Sequence, residues 1–295
     1  MNNSNLHAVK HDVDRDEYFT LLDDVEAEVT HYKDQLKGKV IYCNCDDESS
    51  AFVKYFKAQF GIIGLKHLIA THYNRDGSQS YRYDFDGFTE TTTPLQGDGD
   101  YASDECMAIL MNEADVIITN PPFSKSKEMV PMLANSGKGF LIVGNINHIT
   151  FKEIFPLVKD NKLWYGYHTV KSFIKPDGSI KKFGNICWFT NLDVSKRHED
   201  LILYEKYSPE KYPRYDNYDA IDVGAVNTMT KKGKTIYGIP MDYDGVMGVP
   251  ISFLDKYNPE QFEIVKFRKG NDEKDLSVNG EYPYFRVLVR KKAVA

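Results

Sequence analysis

Short runs rich in β-branched and aromatic residues alternate with helix-patterned segments, and this alternation constrains the fold more than any other feature of the chain. Lys39-Val-Ile-Tyr-Cys-Asn-Cys45, Leu65 to His72, Ala114-Asp-Val-Ile-Ile-Thr119 and Gly139-Phe-Leu-Ile-Val-Gly144 read as buried strands. Between them, Ala51 to Phe60, Ser103 to Asn112 and Lys127 to Asn135 carry helical spacing. Upstream, Tyr18, Phe19, Leu21, Leu22, Val25 and Val29 predict one amphipathic helix from Asp12 to about Leu36, stopped by Gly38. Tyr81 to Phe85 with Gly87 to Thr93 reads as a hairpin, and Leu163 to Phe173 and Asn185 to Thr190 as two more strands. Strands and helices in this order predict an α/β fold, an open, mostly parallel sheet with helices on both faces. Ligands of such sheets bind at the carboxyl ends of the strands. Three polar clusters fall there: Asn44 to Glu48, Gly97 to Asp100, and Asn120 to Phe123. From about Tyr207 the chain turns rich in Tyr, Pro, Asp and Gly. This places the sheet domain at 1–206, with a helical leading segment at 1–38, and a separate region at 207–295.

Composition narrows the class. Of 295 residues, 42% are hydrophobic and 27% charged, which suits a folded globular chain and excludes disordered and collagen-like ones. No apolar run approaches the roughly 18 residues needed to cross a bilayer, so no membrane partner is expected. The start MNNSNLHAVK lacks the apolar core of a secretory leader, so the expected compartment is cytoplasmic. Cys43 and Cys45 share a strand face, but Cys106 and Cys187 stand alone, so no metal site is expected. The net charge of −6 argues against a general nucleic-acid coat. Its distribution is uneven: residues 1–150 hold 13 Lys and Arg against 23 Asp and Glu, whereas residues 151–295 hold 24 against 20. Such a chain could meet a polyanion with its second half.

Asn120, Pro121, Pro122 and Phe123 directly follow a buried strand. Two prolines alone could simply make a rigid strand-to-helix turn. The chemical reading is more specific. An exocyclic amine on an aromatic ring is a poor nucleophile, because its lone pair is delocalised. Two acceptors that hold its hydrogens favour the more nucleophilic sp³-like nitrogen. The Asn120 side-chain oxygen is one acceptor, and the Pro121 carbonyl, its direction fixed by the ring, is the second. The Phe123 ring offers a face for a planar base, a contact worth about 1–3 kcal/mol. His148 and His168 read as ordinary residues rather than catalysts, and Asn145 and Asn147 as candidates for lining a base pocket.

The chain resembles the EcoRI-type adenine-N6 DNA methyltransferases over nearly its whole length. The similarity lies in Glu17-Tyr-Phe-Thr-Leu21, His31-Tyr-Lys-Asp-Gln-Leu-Lys-Gly-Lys39, Tyr42-Cys-Asn-Cys-Asp-Asp47, Gly97-Asp-Gly-Asp100, Thr119-Asn-Pro-Pro-Phe-Ser124, Cys187-Trp-Phe-Thr-Asn191, Asp244-Gly-Val-Met-Gly-Val-Pro250 and Phe253-Leu-Asp-Lys-Tyr-Asn-Pro259. The tetrad alone is shared with glutamine and RNA methyltransferases, whereas the C-terminal stretches are more specific. The resemblance implies a Rossmann-like fold with a seven-stranded sheet and a C-terminal recognition region. It also implies S-adenosylmethionine as methyl donor, the adenine amine of double-stranded DNA as acceptor, and a monomer. It places Cys43, Asn44, Cys45, Asp46 and Asp47 in the loop that embraces the methionine part of the cofactor. This loop has Asn44, Asp46 and Asp47 where other methyltransferases have glycines. A carboxylate here suits the cofactor's ammonium group, or merely starts a helix whose dipole favours it. The ribose contact falls to His72 or Tyr73, because no carboxylate ends that strand. Asp98 or, preferably, Asp100 would meet the cofactor's adenine amine, unless the pair only shapes a turn. Thr20 would fold back over the methionine end, or serve as a cap or core residue.

A base inside a duplex must be rotated out before its amine can react, at a cost of a few kcal/mol. Candidate phosphate contacts are Lys125 and Lys127 beside the tetrad, Lys171, Lys175, Lys181 and Lys182, and Lys231, Lys232 and Lys234; Arg286, Arg290, Lys291 and Lys292 stand behind them. Rival readings are an RNA-adenine or protein-glutamine methyltransferase and a non-catalytic DNA-binding module. A nicotinamide dehydrogenase is disfavoured, since no Gly-x-Gly-x-x-Gly follows the first strand. The residues do not identify a target sequence or a partner nuclease.

Overall fold

The structure is a computed structural model that describes residues 19–74, 77–175, 177–268, 276–283 and 285–293. The chain divides into two compact units, Met1–Ile154 with Tyr165–Asp193, and Phe155–Trp164 with Val194–Ala295. The sequence placed the boundary at 206/207. The division by contacts falls at 193/194, and Phe155–Trp164 with α6 (Phe155–Lys159) groups with the second unit, where Phe155 packs its ring 5.0 Å from Phe267.

The first unit is built on a nine-stranded sheet. Its strands are β1 (Phe19–Thr20), β2 (Val40–Cys43), β3 (His67–His72), β4 (Tyr81–Phe85), β5 (Glu90–Pro94), β6 (Val116–Thr119), β7 (Gly139–Asn145), β8 (Trp164–Ile174) and β9 (Ile180–Thr190). Their spatial order is β1-β8-β9-β7-β6-β2-β3-β4-β5. The eight strand segments read from the sequence are there as β2 to β9, β1 is added at one edge, and the count therefore exceeds the seven that the resemblance implies. The core β3-β2-β6-β7 is parallel, while β9 against β7, β4 against β3 and β1 against β8 are antiparallel. Every residue of β2 and β6 is buried, as expected of strands covered on both faces.

Helix α3 (Ala51–Ile63) carries the chain from β2 to β3, and α5 (Ser126–Asn135) from β6 to β7. These two connections step in opposite directions along the sheet, so right-handed crossovers put the helices on opposite faces. Ser50 starts α3 by accepting a hydrogen bond from Val53 N, and Gly64 ends it in the left-handed conformation. Ser103 caps α4 (Asp104–Asn112) in the same way through Cys106 N.

The single leading helix expected from Asp12 to Leu36 is corrected. The stretch before Phe19 lies outside the described residues. Beyond it, Phe19 and Thr20 pair with Ile174 and Phe173 as an edge strand, and α1 begins only at Leu22 (Leu22–Val29). A 3₁₀ turn then separates α1 from α2 (Lys33–Leu36). Helical periodicity continued across a segment whose backbone bonds go to a distant strand.

The second unit holds a four-stranded sheet in the order β10-β13-β15-β14, from Ile221–Asp222, Met247–Pro250, Arg286–Lys291 and Phe262–Arg268. A separate two-stranded ribbon joins β11 (Met229–Lys231) to β12 (Lys234–Ile236). Among the described residues no helix is long and apolar enough to cross a membrane.

Candidate active site

Strands β2 and β6 are neighbours whose connections leave in opposite directions, which makes the gap between their carboxyl ends the switch point of the sheet. The loop after β2 carries Asn44 to Ser50, and the loop after β6 carries the Asn120 tetrad. Thr119, the last residue of β6, ties the two together. Its Oγ1 lies 2.7 Å from Asn44 O and 2.9 Å from Asp46 Oδ2. A hydroxyl carries one proton, so the Thr119 hydroxyl divides its single donor between the Asn44 carbonyl and the Asp46 carboxylate. Asp46 retains some surface, but its carboxyl is enclosed by protein atoms. Desolvation raises its pKa to about 7, against the opposing bonds from Thr119 and Ser50 and with a contribution from Asp47. Asp47 accepts from Ser49 N at 2.7 Å and sets its other oxygen 3.7 Å from His72 Nδ1.

The neighbouring loops close on the same edge. His72 ends β3, stacks on Tyr81 with ring centroids 4.9 Å apart, and reaches Ser78 Oγ at 3.3 Å. Gly99 packs against it so tightly that a Cβ there would stand 2.2 Å from the His72 carbonyl oxygen, and its φ is +77°; only glycine fits. Asn74 N donates to Asp98 O at 2.7 Å, which pins the Gly97–Asp100 loop beside Tyr73. Asp98 accepts from Asp100 N and Asp100 from Ala102 N, each at 2.9 Å, so both carboxylates also shape this turn. Cys43 is fully buried in β2, and burial pushes its thiol well up. Cys45 takes φ +57°, donates its N–H to Thr71 Oγ1 at 3.3 Å, and directs its thiol at Gly99 O. Among the described residues no group of three His, Cys, Asp or Glu side chains could hold a metal ion.

Two buried polar atoms at this edge, Asn44 Oδ1 and Asn74 Oδ1, and Thr20 Oγ1 on β1 have no hydrogen-bond partner among the described residues. Buried polar atoms are normally paired. Unpaired acceptors together with the carboxylates of Asp46, Asp47 and Asp100 suit a polar, cationic ligand with several N–H and O–H donors.

The tetrad stands on the other side of Thr119. Asn120, Pro122 and Phe123 keep part of their surface, while Pro121 is buried. Phe123 opens a 3₁₀ turn, closed by Lys125 N bonding Pro122 O, before α5 begins. Its ring is met edge-on by His148 at 6.0 Å and Phe173 at 6.4 Å. His148 stacks on Phe151 at 4.9 Å, and the Lys127 ammonium lies 4.8 Å from the Phe151 ring centre. Sequence reasoning missed this aromatic wall. The available signal was position: His148 and Phe151 directly follow the carboxyl end of β7. Asn145 caps the turn, accepting from Asn147 N and Asn185 Nδ2 at 2.9 Å each. His168 lies elsewhere, its Nδ1 3.0 Å from the buried Glu28 carboxylate. Thr20, by pairing with Phe173, reaches the same corner.

The register of β9 against β7 ends at Ile186 beside Asn145. Residues 180–185 of β9 therefore run past the carboxyl edge, and the β8–β9 hairpin projects there with Lys171, Lys181 and Lys182 exposed. Lys125 and Lys127 are also exposed, Lys125 lying 3.8 Å from Glu128. Lys231, Lys232 and Lys234 belong to the second unit, at the tip of the β11–β12 ribbon.

Comparison with known proteins shows the family. The family described as adenine-specific methyltransferase EcoRI matches residues 5–93 and 78–292. The Type II methyltransferase M.EcoRI of Escherichia coli is 42% identical over 98% of this chain and 97% of its own length. M.MgeORF184P of Mycoplasma genitalium is 35% identical (94% and 96%), and M.MpnI of Mycoplasma pneumoniae 39% identical (84% and 81%); both are also named Type II methyltransferases. No solved structure gives a significant match. The chain belongs to the EcoRI family of adenine-specific methyltransferases, and it is a site-specific adenine DNA methyltransferase that draws on a methyl donor.

Proposed function

We propose that the donor is S-adenosylmethionine and that the acceptor is the N6 amine of an adenine turned out of duplex DNA. The observation that carries this reading is the pairing of an acidic loop and a neutral, proline-stiffened loop across one switch point, joined by Thr119. S-adenosylmethionine, when bound, supplies an electrophilic methyl group on a sulfonium. Asp46 and Asp47 offer carboxylates to its ammonium group, with Asn44, Cys43 and Cys45 forming the rest of that loop. Thr20 supplies a hydroxyl at the methionine end. His72 or Tyr73 takes the ribose, and Asp98 or Asp100 the adenine amine. Asn120 Oδ1 and the Pro121 carbonyl accept the two hydrogens of the target amine and hold its lone pair free. Phe123 stacks on the base, and Pro122 fixes the direction of the ring. As the nitrogen bonds to carbon it becomes acidic, so its proton passes to water without a strong base.

Lys125 and Lys127 beside the tetrad, and Lys171, Lys181 and Lys182 on the projecting hairpin, would meet phosphates around the extruded base. The second unit is the region for choosing the target sequence. The test is transfer from labelled S-adenosylmethionine into duplex DNA, RNA and a protein extract, followed by identification of the modified base. Label in N6-methyladenine of DNA supports the proposal. Label confined to RNA or protein, or none at all, overturns it.

A further inference from the structure

We infer that the β11–β12 ribbon of the second unit is a rigid cationic finger that grips the phosphates of duplex DNA independently of sequence. The inference rests on the DNA reading above and names a contact surface for it. Lys231 pairs with Lys234, leaving only Lys232 and Gly233 in the loop, both with positive φ (+52° and +76°). That is the type I′ turn, whose twist matches a two-stranded ribbon. Its first central position favours Asn, Asp or Gly, because a Cβ is strained at positive φ and only glycine lacks one, while the short polar groups of Asn and Asp hydrogen-bond locally. The chain places lysine there instead, adding a third ammonium at the tip.

The tip and the base of the ribbon are built differently. Residues 229–235 are exposed. No carboxylate among the described residues pairs with Lys231, Lys232 or Lys234. Other lysines of the same unit are paired: Lys196 with Asp255 at 2.6 Å, Lys211 with Glu205 at 3.2 Å and Lys291 with Asp244 at 3.8 Å. At the base, Thr228 donates to Glu205 at 2.6 Å and accepts from Gly238 N at 2.9 Å. Tyr212 donates to Gly238 O at 2.8 Å, and Ile236 lies so close to Gly224 that a Cβ there would touch it at 2.5 Å. Both strands thus leave a fixed platform. A stiff stem ending in three ammonium groups that no carboxylate among the described residues neutralises, flanked by the hydroxyls of Thr230 and Thr235, complements a phosphate backbone. It carries no Arg, Asn or Gln, and its lysine ammonium groups are flexible point charges without the rigid fork that fixes a bidentate pair on a base edge.

The test compares the whole wild-type protein with a variant carrying Lys231→Gln, Lys232→Asn and Lys234→Gln, the asparagine keeping the turn in a preferred residue. Equilibrium binding to random-sequence duplex DNA is measured across salt concentrations, with cofactor binding and Tm as folding controls. Each lost phosphate contact lowers the salt slope of log K by about 0.9. The expected result is a slope reduced by about 2 to 3, weaker binding, an unchanged Tm and an unchanged methylation site. An unaltered slope in a folded variant overturns the finger while leaving the methyltransferase reading intact. A changed target site at unaltered slope also overturns it, because the ribbon would then read bases. A wild-type protein that binds no duplex overturns both readings together.

Discussion

The two loops at the switch point are built by opposite means. The loop after β2 is acidic and is held by polar contacts, Ser49 N on Asp47 and Thr119 Oγ1 on Asp46 and Asn44. The loop after β6 bears no charge from Asn120 to Phe123 and is held by two proline rings and by aromatic packing. Attracting a cation calls for carboxylates, and enclosing them raises their pKa. Presenting a neutral amine for attack calls for acceptors with fixed direction and no charge, because a cationic or acidic group there would bind the lone pair or compete for the hydrogens. If the loops divide the work in this way, damage to one should leave the other's task intact.

The largest effect is expected at Asn120. On the proposed reading, Asn120→Ala removes an oriented acceptor needed only during transfer, a class of loss worth about 10²–10³ in kcat. Binding of S-adenosylmethionine, followed by calorimetry, should stay within about threefold. A collapse of cofactor binding in this variant would erase the division between the loops.

Asp46→Asn probes the acidic side, with a smaller expected loss of about tenfold in cofactor affinity at pH 8 and little change in kcat at saturation. The folded-state pKa is raised from 3.8 to about 7. The neutral form therefore prevails below about 7 and the carboxylate above it. Wild-type affinity for the cationic cofactor should rise between pH 6 and 8, while the variant stays flat. Stability moves the other way. A raised carboxyl pKa costs nothing below the unfolded value, costs progressively more as pH climbs towards 7, and levels off beyond it. Asp46→Asn should thus raise the Tm of cofactor-free protein at pH 8 more than at pH 5. A wild-type affinity independent of pH would remove Asp46 from the site.

How far all this was legible depends on whether the deciding contacts are local. The parallel core was, because Val40–Cys43 and Val116–Thr119 are buried on both faces and their composition says so without reference to partners. The tetrad was, because two prolines after a strand leave few conformations. Phe19–Thr20 was not, since its pairing with Ile174 and Phe173 spans more than a hundred and fifty residues. Nor was α6, whose short pattern fits the α/β alternation while its side chains join the second unit. The aromatic wall of His148, Phe151 and Phe173 comes from two separate strand ends that only the sheet order brings together.

Thr119 was equally hidden, reading only as the last β-branched residue of a strand, and it gives the subtlest test because it belongs to both loops. Thr119→Val keeps shape and burial but removes the hydroxyl. Asn44 O and Asp46 then lose the one donor they share, whose bond to Asp46 lowers that carboxyl's pKa. Leaving a buried acceptor unpaired costs about 1–3 kcal/mol, and each kcal/mol lowers Tm by about 2–4 °C in a chain of this size. The Asp46 pKa should climb further, so the pH at which cofactor binding strengthens should move upward, with kcat at high pH nearly preserved. Thr119→Ser, which restores the hydroxyl without the methyl group, should return that midpoint to the wild-type value even if some stability is lost. A midpoint that ignores both substitutions would mean that Thr119 serves only the packing of β6 and that the two loops are not coupled through it.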